Sequence, residues 1–239
     1  MKEKESLKSV AIIPAAGRGA RMGAPLKKQF LLLGGEPILT RTAGVLQACP
    51  EIDALILVVP EGEREFCENQ IVTQKGFTKV VAVVAGGAQR QDSVYNGLKC
   101  IESNTDVVVV HDGVRPFLTG AMVRETTAMA AGGTSAVVGF PVQDTVKSVG
   151  PNGDVMHTLS RDELWSIQTP QAFPVATLLE AYEEARGDGY YGTDDAALVE
   201  RIGRPVRVLS GSRNNIKITT PEDLVFGEAI LRQLEEECC

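Results

Sequence analysis

The chain has 239 residues, 44% of them hydrophobic, and a formal charge of −7, which suits one sizeable core and argues against a general nucleic-acid surface. No apolar run approaches a membrane span, and residues 1–8 read as a charged tail with no signal-peptide core behind it, so a cytoplasmic location away from membranes is expected. Five cysteines without paired metal-ligand spacing suit a reducing compartment, and two histidines argue against a zinc site of the usual kind. Any metal is therefore expected on carboxylates, phosphates and water, with magnesium as the candidate. Cys49, Cys67 and Cys100 read as small core residues, and Cys238-Cys239 as part of a frayed acidic end.

The first apolar run, residues 10–14, reads as a short buried strand. The loop behind it places Gly17, Gly19 and Gly23 among Arg18, Arg21, Lys27 and Lys28. Small residues let backbone N–H groups approach an anion, and the cations add fixed positive charge, so this is a place for a polyphosphate. A P-loop requires Gly-Lys followed by Ser or Thr, whereas Lys28 leads into Gln29. The dinucleotide fingerprint has tighter glycine spacing and rarely an arginine inside it.

Further strand-like runs at residues 54–59, 80–84, 107–111 and 136–140 are nearly continuous in apolar residues, as strands buried on both faces of a parallel sheet should be. Amphipathic stretches at 37–48, 61–73, 92–101 and 119–131 alternate with them as crossover helices. The expected architecture is a single-domain, three-layer α/β sandwich with a mostly parallel twisted sheet. In such a sheet ligands lie beyond the carboxyl ends of the strands, where the glycine loop, Gly86-Gly87 and His111-Asp112 all fall.

Residues 142–158 break the alternation, with two strand-prone stretches flanking Gly150-Pro151-Asn152-Gly153-Asp154. This reads as an inserted β-arm of about residues 142–168. An isolated hairpin is marginal in water, so Val146, Val149, Val155, Met156 and Leu159 need a covering surface, and a homodimer in which the arm embraces its partner is expected. An arm folded back on its own subunit is the alternative. Residues 174–186 and 194–202 then read as helices, 206–210 as a strand, and Thr220-Pro221-Glu222-Asp223 as the capped start of a terminal helix.

The set Pro-Ala-Ala-Gly-x-Gly-x-Arg-Met at 14–22 with Lys28-Gln29, Gly86-Gly87 with Asp92-Ser93, His111-Asp112-x-x-Arg115-Pro116, Thr169-Pro170-Gln171 and Asn215-Ile216-Lys217 resembles the 2-C-methyl-D-erythritol 4-phosphate cytidylyltransferase family. The resemblance runs from Val10 to about Ala229. It implies a Rossmann-like nucleotidyltransferase fold, with CTP and methylerythritol phosphate as substrates, magnesium as cofactor and a homodimer joined by the arm. The chain departs from the family's usual pattern at Lys27, where proline is frequent, and at Ala88-Gln89, where an acidic residue usually follows the glycines. Ribitol 5-phosphate cytidylyltransferases share the reaction, although Pro14-Ala15-Ala16-Gly17 and residues 159–165 favour the methylerythritol enzymes. A non-catalytic nucleotide sensor and a dinucleotide-dependent dehydrogenase are the rivals of another class.

Carried over residue by residue, the resemblance makes Arg21 and Lys28 the catalytic cations that stabilise charge on the α-phosphate and the departing pyrophosphate. Ala15, Ala16, Gly17, Gly86, Gly87 and Ser93 would read the base and ribose. Asp112 would lie near magnesium as its candidate ligand, and Arg115 would bind substrate phosphate or hydroxyls, with a plain Asp112–Arg115 salt bridge as the competing reading. Arg161 and Lys217, with Thr145 nearby, would cage the acceptor phosphate. Thr169, Thr193 and Asp194 would line the polyol or support the loop, and a helix cap is an equal reading for the last two. His111 reads as a packed strand-end residue, because a phosphate nucleophile requires no base.

Overall fold

The computed structural model describes residues 7–17 and 27–237. Strand β1 (Ser9–Pro14) runs through the middle of the sheet, and after it come a small hairpin, β2 (Leu32–Leu33) and β3 (Glu36–Pro37), and helix α1 (Ile38–Ala48). Strand β4 (Ala54–Val59) leads into a mixed helical segment. A 3₁₀ turn (Glu61–Glu63) passes through α2 (Arg64–Phe66) into a π-helical stretch (Cys67–Thr73). Then β5 (Val80–Ala85), α3 (Arg90–Leu98), β6 (Val107–Val110), α4 (Gly120–Ala131) and β7 (Ser135–Pro141) continue the alternation.

The arm consists of β8 (Lys147–Val149) and β9 (Val155–Thr158), paired antiparallel with Lys147 opposite Thr158. Its turn uses Gly153 at a φ of 86°, a conformation that a side chain would resist. The chain returns along β10 (Trp165–Pro174) and ends with α5 (Val175–Gly187), α6 (Asp195–Arg201), β11 (Val206–Ser210) and α7 (Pro221–Glu237). No helix among the described residues is long and apolar enough to cross a membrane.

The seven-stranded sheet has the order β11-β7-β10-β6-β1-β4-β5. Among the described residues of this sheet, strand β10 alone runs antiparallel, to β6 on one side and β7 on the other. Successive β1 side chains feed opposite cores. Ala11 and Ile13 pack with Leu39, Leu46, Leu55, Leu57 and Val123 on one face, while Val10 and Ile12 pack with Ile56, Val58, Val94, Phe173 and Tyr182 on the other. Burial on both faces is why these strands carry no polar alternation.

Three details depart from the sequence reading. Residues 165–174 form a central strand of the sheet, so the arm closes before Trp165 and not near 168. Helix α3 starts at Arg90, two residues early, because Gln89 is its N-cap: the Gln89 side chain accepts from the Asp92 backbone while Asp92 accepts from the Gln89 N–H at 3.0 Å. Cys100 is exposed, whereas Cys49 and Cys67 are buried as expected, and the Cys238-Cys239 end lies outside the described residues.

Candidate active site

Three strand ends meet on one rim. The segment after β1 is tied to its neighbours by Ala15 N–H to the Val58 carbonyl at 2.7 Å and by Gly113 N–H to the Pro14 carbonyl at 3.1 Å. Gly86 leaves β5 with its N–H on the Val59 carbonyl at 2.9 Å. The register that pairs Ile12 with Val110 brings His111 and Asp112 to the same height. A cavity of about 550 Å³ opens there, lined by Ala15, Ala16 and Gly17 of the first loop, Gly87 and Ser93 of the third, and Lys28, Asp112 and Lys217.

Gly86 lies beneath this wall. A Cβ on it would come within 2.1 Å of the Ala16 Cβ and 2.9 Å of the Ser93 Oγ, so only glycine lets the two loops meet. The Ser93 hydroxyl donates to the Gln89 carbonyl at 3.0 Å and accepts from the Gly87 N–H at 3.1 Å. It therefore stiffens the loop whose backbone faces the cavity.

Asp112 is the electrostatic centre. Its Oδ1 lies 3.1 Å from Arg90 Nε, and its Oδ2 lies 2.7 Å from Lys217 Nζ and 3.7 Å from Arg115 Nε. Burial works against the carboxylate, but Arg90 and Lys217, followed by Arg115, outweigh it and hold the group well below the usual carboxylate range. The expected Asp112–Arg115 pair is thus present as one part of a larger cluster. Arg115 is anchored further by its Nη1 donating to the Asn215 carbonyl at 2.7 Å.

His111 is fully buried, with Nε2 donating to the Arg115 carbonyl at 2.9 Å and Nδ1 3.1 Å from the Thr169 hydroxyl. Burial lowers its pKa to about 4, so it stands neutral at physiological pH. Thr169 also accepts from the Asp112 N–H at 3.0 Å, which makes it a brace for the loop. Asp194 caps α6 by accepting from the Ala197 N–H at 2.9 Å, and it also accepts from Gln171 Nε2 at 2.7 Å; Thr193 beside it is exposed. Neither faces the cavity. Thr145 and Arg161 are exposed on and beside the arm, where Arg161 donates to the Gln143 carbonyl at 3.0 Å, and they do not line the cavity. Arg21 lies outside the described residues.

The residues around Asp112 do not fit a directly bound magnesium ion. Three cationic side chains already face its two oxygens, and the described residues hold no cluster of three His, Cys, Asp or Glu side chains for a metal.

Sequence reasoning missed Arg90, which lines the cavity and joins Asp112 to Asp195 of α6, with its Nη1 2.8 Å from Asp195 Oδ2. The only signal was a cation between a Gly-Gly turn and a helix, and placing the helix start at Asp92 left it in a loop. Gln29, Gln89 and Val114 also line the wall. A larger groove of about 790 Å³ beside Phe77, Phe117 and Leu231 has charged residues at its rim, but there Glu36 is paired with Lys75 and Arg41. It shows no comparable convergence on one carboxylate.

Comparison with known proteins follows the same lines. Residues 9–233 match the family described as IspD: 2-C-methyl-D-erythritol 4-phosphate cytidylyltransferase. The chain is 49% identical over 226 residues to the 2-C-methyl-D-erythritol 4-phosphate cytidylyltransferase of Geobacter metallireducens, covering 93% of this chain and 97% of that protein. It is 47% identical to the Syntrophus aciditrophicus protein of the same name, covering 95% and 97%. Among solved structures, it resembles 4-diphosphocytidyl-2C-methyl-D-erythritol synthase from Anaerococcus prevotii with a TM-score of 0.84 at 32% identity, covering 95% of this chain and 96% of that one. The Thermus thermophilus 2-C-methyl-D-erythritol 4-phosphate cytidylyltransferase gives a TM-score of 0.76 at 32% identity, covering 93% and 98%.

Proposed function

Because the chain belongs to the 2-C-methyl-D-erythritol 4-phosphate cytidylyltransferase family, we infer from that premise and from the site that it transfers the cytidylyl group of CTP to 2-C-methyl-D-erythritol 4-phosphate. The products are 4-diphosphocytidyl-2-C-methyl-D-erythritol and pyrophosphate, in non-mevalonate isoprenoid precursor synthesis. A phosphate oxygen of the acceptor attacks the α-phosphorus, and the bond to the bridging α–β oxygen breaks, so its electron pair leaves with pyrophosphate. The acceptor phosphate is already an anionic nucleophile at neutral pH and no base is needed, which agrees with a sealed, neutral His111. Catalysis then consists of positioning two polyanions and neutralising their charge.

The observation that carries this reading is the cavity whose glycine-rich walls converge with Lys28 and Lys217 around one ionised carboxylate. Backbone groups of Ala15, Ala16, Gly17 and Gly87, shaped by Gly86 and Ser93, face the base and ribose in this scheme. Lys28 and Arg21 act on the triphosphate, and Lys217 leaves Asp112 for the acceptor phosphate. Any magnesium would be carried by the triphosphate and would supply charge neutralisation there. The exposed apolar arm supports a homodimer in which Thr145 and Arg161 of one protomer complete the acceptor site of the other. The free thiols Cys49, Cys67 and Cys100 support a reducing, cytoplasmic setting.

The test is pyrophosphate release from CTP and magnesium with methylerythritol phosphate or ribitol 5-phosphate as acceptor. Strong preference for the former is expected. Lys28→Ala should lower kcat by roughly 10²- to 10³-fold, as for loss of a preorganised charge contact, and Lys217→Ala should raise the acceptor KM more than the CTP KM. Release with ribitol phosphate alone, or with neither acceptor, would overturn the reading.

A further inference from the structure

The cations on Asp112 are not equally fixed. Arg90, at the first position of α3, is held at both ends, by Asp112 Oδ1 at 3.1 Å and by Asp195 Oδ2 at 2.8 Å. Asp195 is 1% exposed and accepts from the Tyr182 hydroxyl, and the Tyr182 ring stacks on Tyr95 of α3 with centroids 6.1 Å apart. Arg115 is held by Asp112 and by the Asn215 carbonyl. Lys217 differs: among the described residues its ion pair is with Asp112, its side chain is 35% exposed, and it faces the cavity.

We propose that Arg90 is a positioning residue of the transfer reaction: by occupying Asp112 Oδ1 permanently, it leaves the Lys217 ammonium free to exchange Asp112 for the acceptor phosphate. Departure of Lys217 then leaves a buried carboxylate still facing two guanidinium groups, so the exchange strands no charge. Without Arg90, Lys217 becomes a larger share of the compensation for Asp112 and is withheld from the substrate. Asp195, with the Tyr182 hydroxyl on it, backs the arginine from α6 and ties the third loop to that helix. This inference rests on the reading of Lys217 as an acceptor-phosphate ligand.

Removing Arg90 alone would strand Asp195, so the test pairs each change with Asp195→Asn. The double variants Arg90→Met/Asp195→Asn and Arg90→Lys/Asp195→Asn carry unbranched side chains of similar length that differ in the charge offered to Asp112. With CTP and methylerythritol phosphate, the methionine variant should raise the acceptor KM at least about tenfold, the scale of one charge-assisted contact, with the CTP KM within about twofold. The lysine variant should return the acceptor KM to within about threefold of wild type. Asp195→Asn alone, which keeps Arg90 on Asp112, should also stay within about threefold, and melting curves confirm that all three are folded at the assay temperature. Equal acceptor KM values in the two double variants, or a loss in Asp195→Asn as large as in the methionine variant, would overturn the proposal. If the methionine variant fails to fold, Arg90→Gln/Asp195→Asn, neutral but able to hydrogen-bond, takes its place with the same expected rise in acceptor KM, and an unchanged acceptor KM there would overturn the proposal. Wild-type turnover in the same assay tests the reaction itself, so failure of that reading is seen separately.

Discussion

A methyl group at position 86 would be driven into the Ala16 Cβ, because the two loops touch there through the missing side chain. Gly86→Ala should therefore cost about 1–3 kcal/mol, the range for overpacking a tight site, and raise the KM for CTP; thermal melts and steady-state kinetics check both. An unchanged CTP KM would mean that the two loops do not read the nucleotide together. His111 gives a pH prediction. Its pKa is lowered to about 4 in the folded protein, against about 6.5 when unfolded. Between those values the unfolded chain binds more protons, so stability falls with falling pH, by a total on the order of 3 kcal/mol. Asp112, whose pKa is also lowered, contributes stability above its unfolded value near pH 4 and loses it only as pH falls below that. His111→Gln should flatten the slope between about pH 6.5 and 4 in denaturant titrations; a slope that persists would assign it to another group. The neutral role of His111 was legible in the sequence because the chemistry needs no base. Arg90 was not, since its meaning depends on Asp112 and Asp195, far away along the chain.

Among the elements, the arm has apolar side chains that lack cover. Val149, Val155 and Met156 are 55%, 57% and 70% exposed, which for a two-stranded hairpin leaves too little buried surface to hold it unaided. Val155→Asp/Met156→Asp should shift the protein toward monomer in sedimentation and lower turnover at least about tenfold, as two acceptor-phosphate contacts are withdrawn. A verified monomer with full activity would separate the arm from the chemistry. The arm's turn was plain from its Gly-Pro-Asn-Gly-Asp run, but strand β10 behind it was not. Gln168 and Gln171 are polar residues in the sheet interior, where Gln171 bonds to Asp194 and to the Ala196 N–H, and Gln168 donates to the Ser212 and Asn215 carbonyls. Those tertiary partners permit the burial and erase the apolar run that marks the other strands.

For the whole molecule, the parallel part of the sheet was readable because strands buried on both faces must be apolar throughout, and the helices between them follow from the crossovers. The rim was readable for a related reason: glycines and cations at the strand ends add nothing to the apolar core. What escaped was the joining of distant segments, which is where β10 and the Arg90 bridge lie.

That joining governs the order of assembly. Strands β5, β4, β1 and β6 form one block from the first half of the chain, and β7 with β11 forms another; among the described residues β10 is the only strand that pairs with both. During synthesis β6 therefore waits with one edge of Val107–Val110 open until residues 165–174 leave the ribosome. The sheet closes from its middle and late, with long loops to close first, and the second half of the molecule has no attachment to the first through the sheet until that strand slides in like a key.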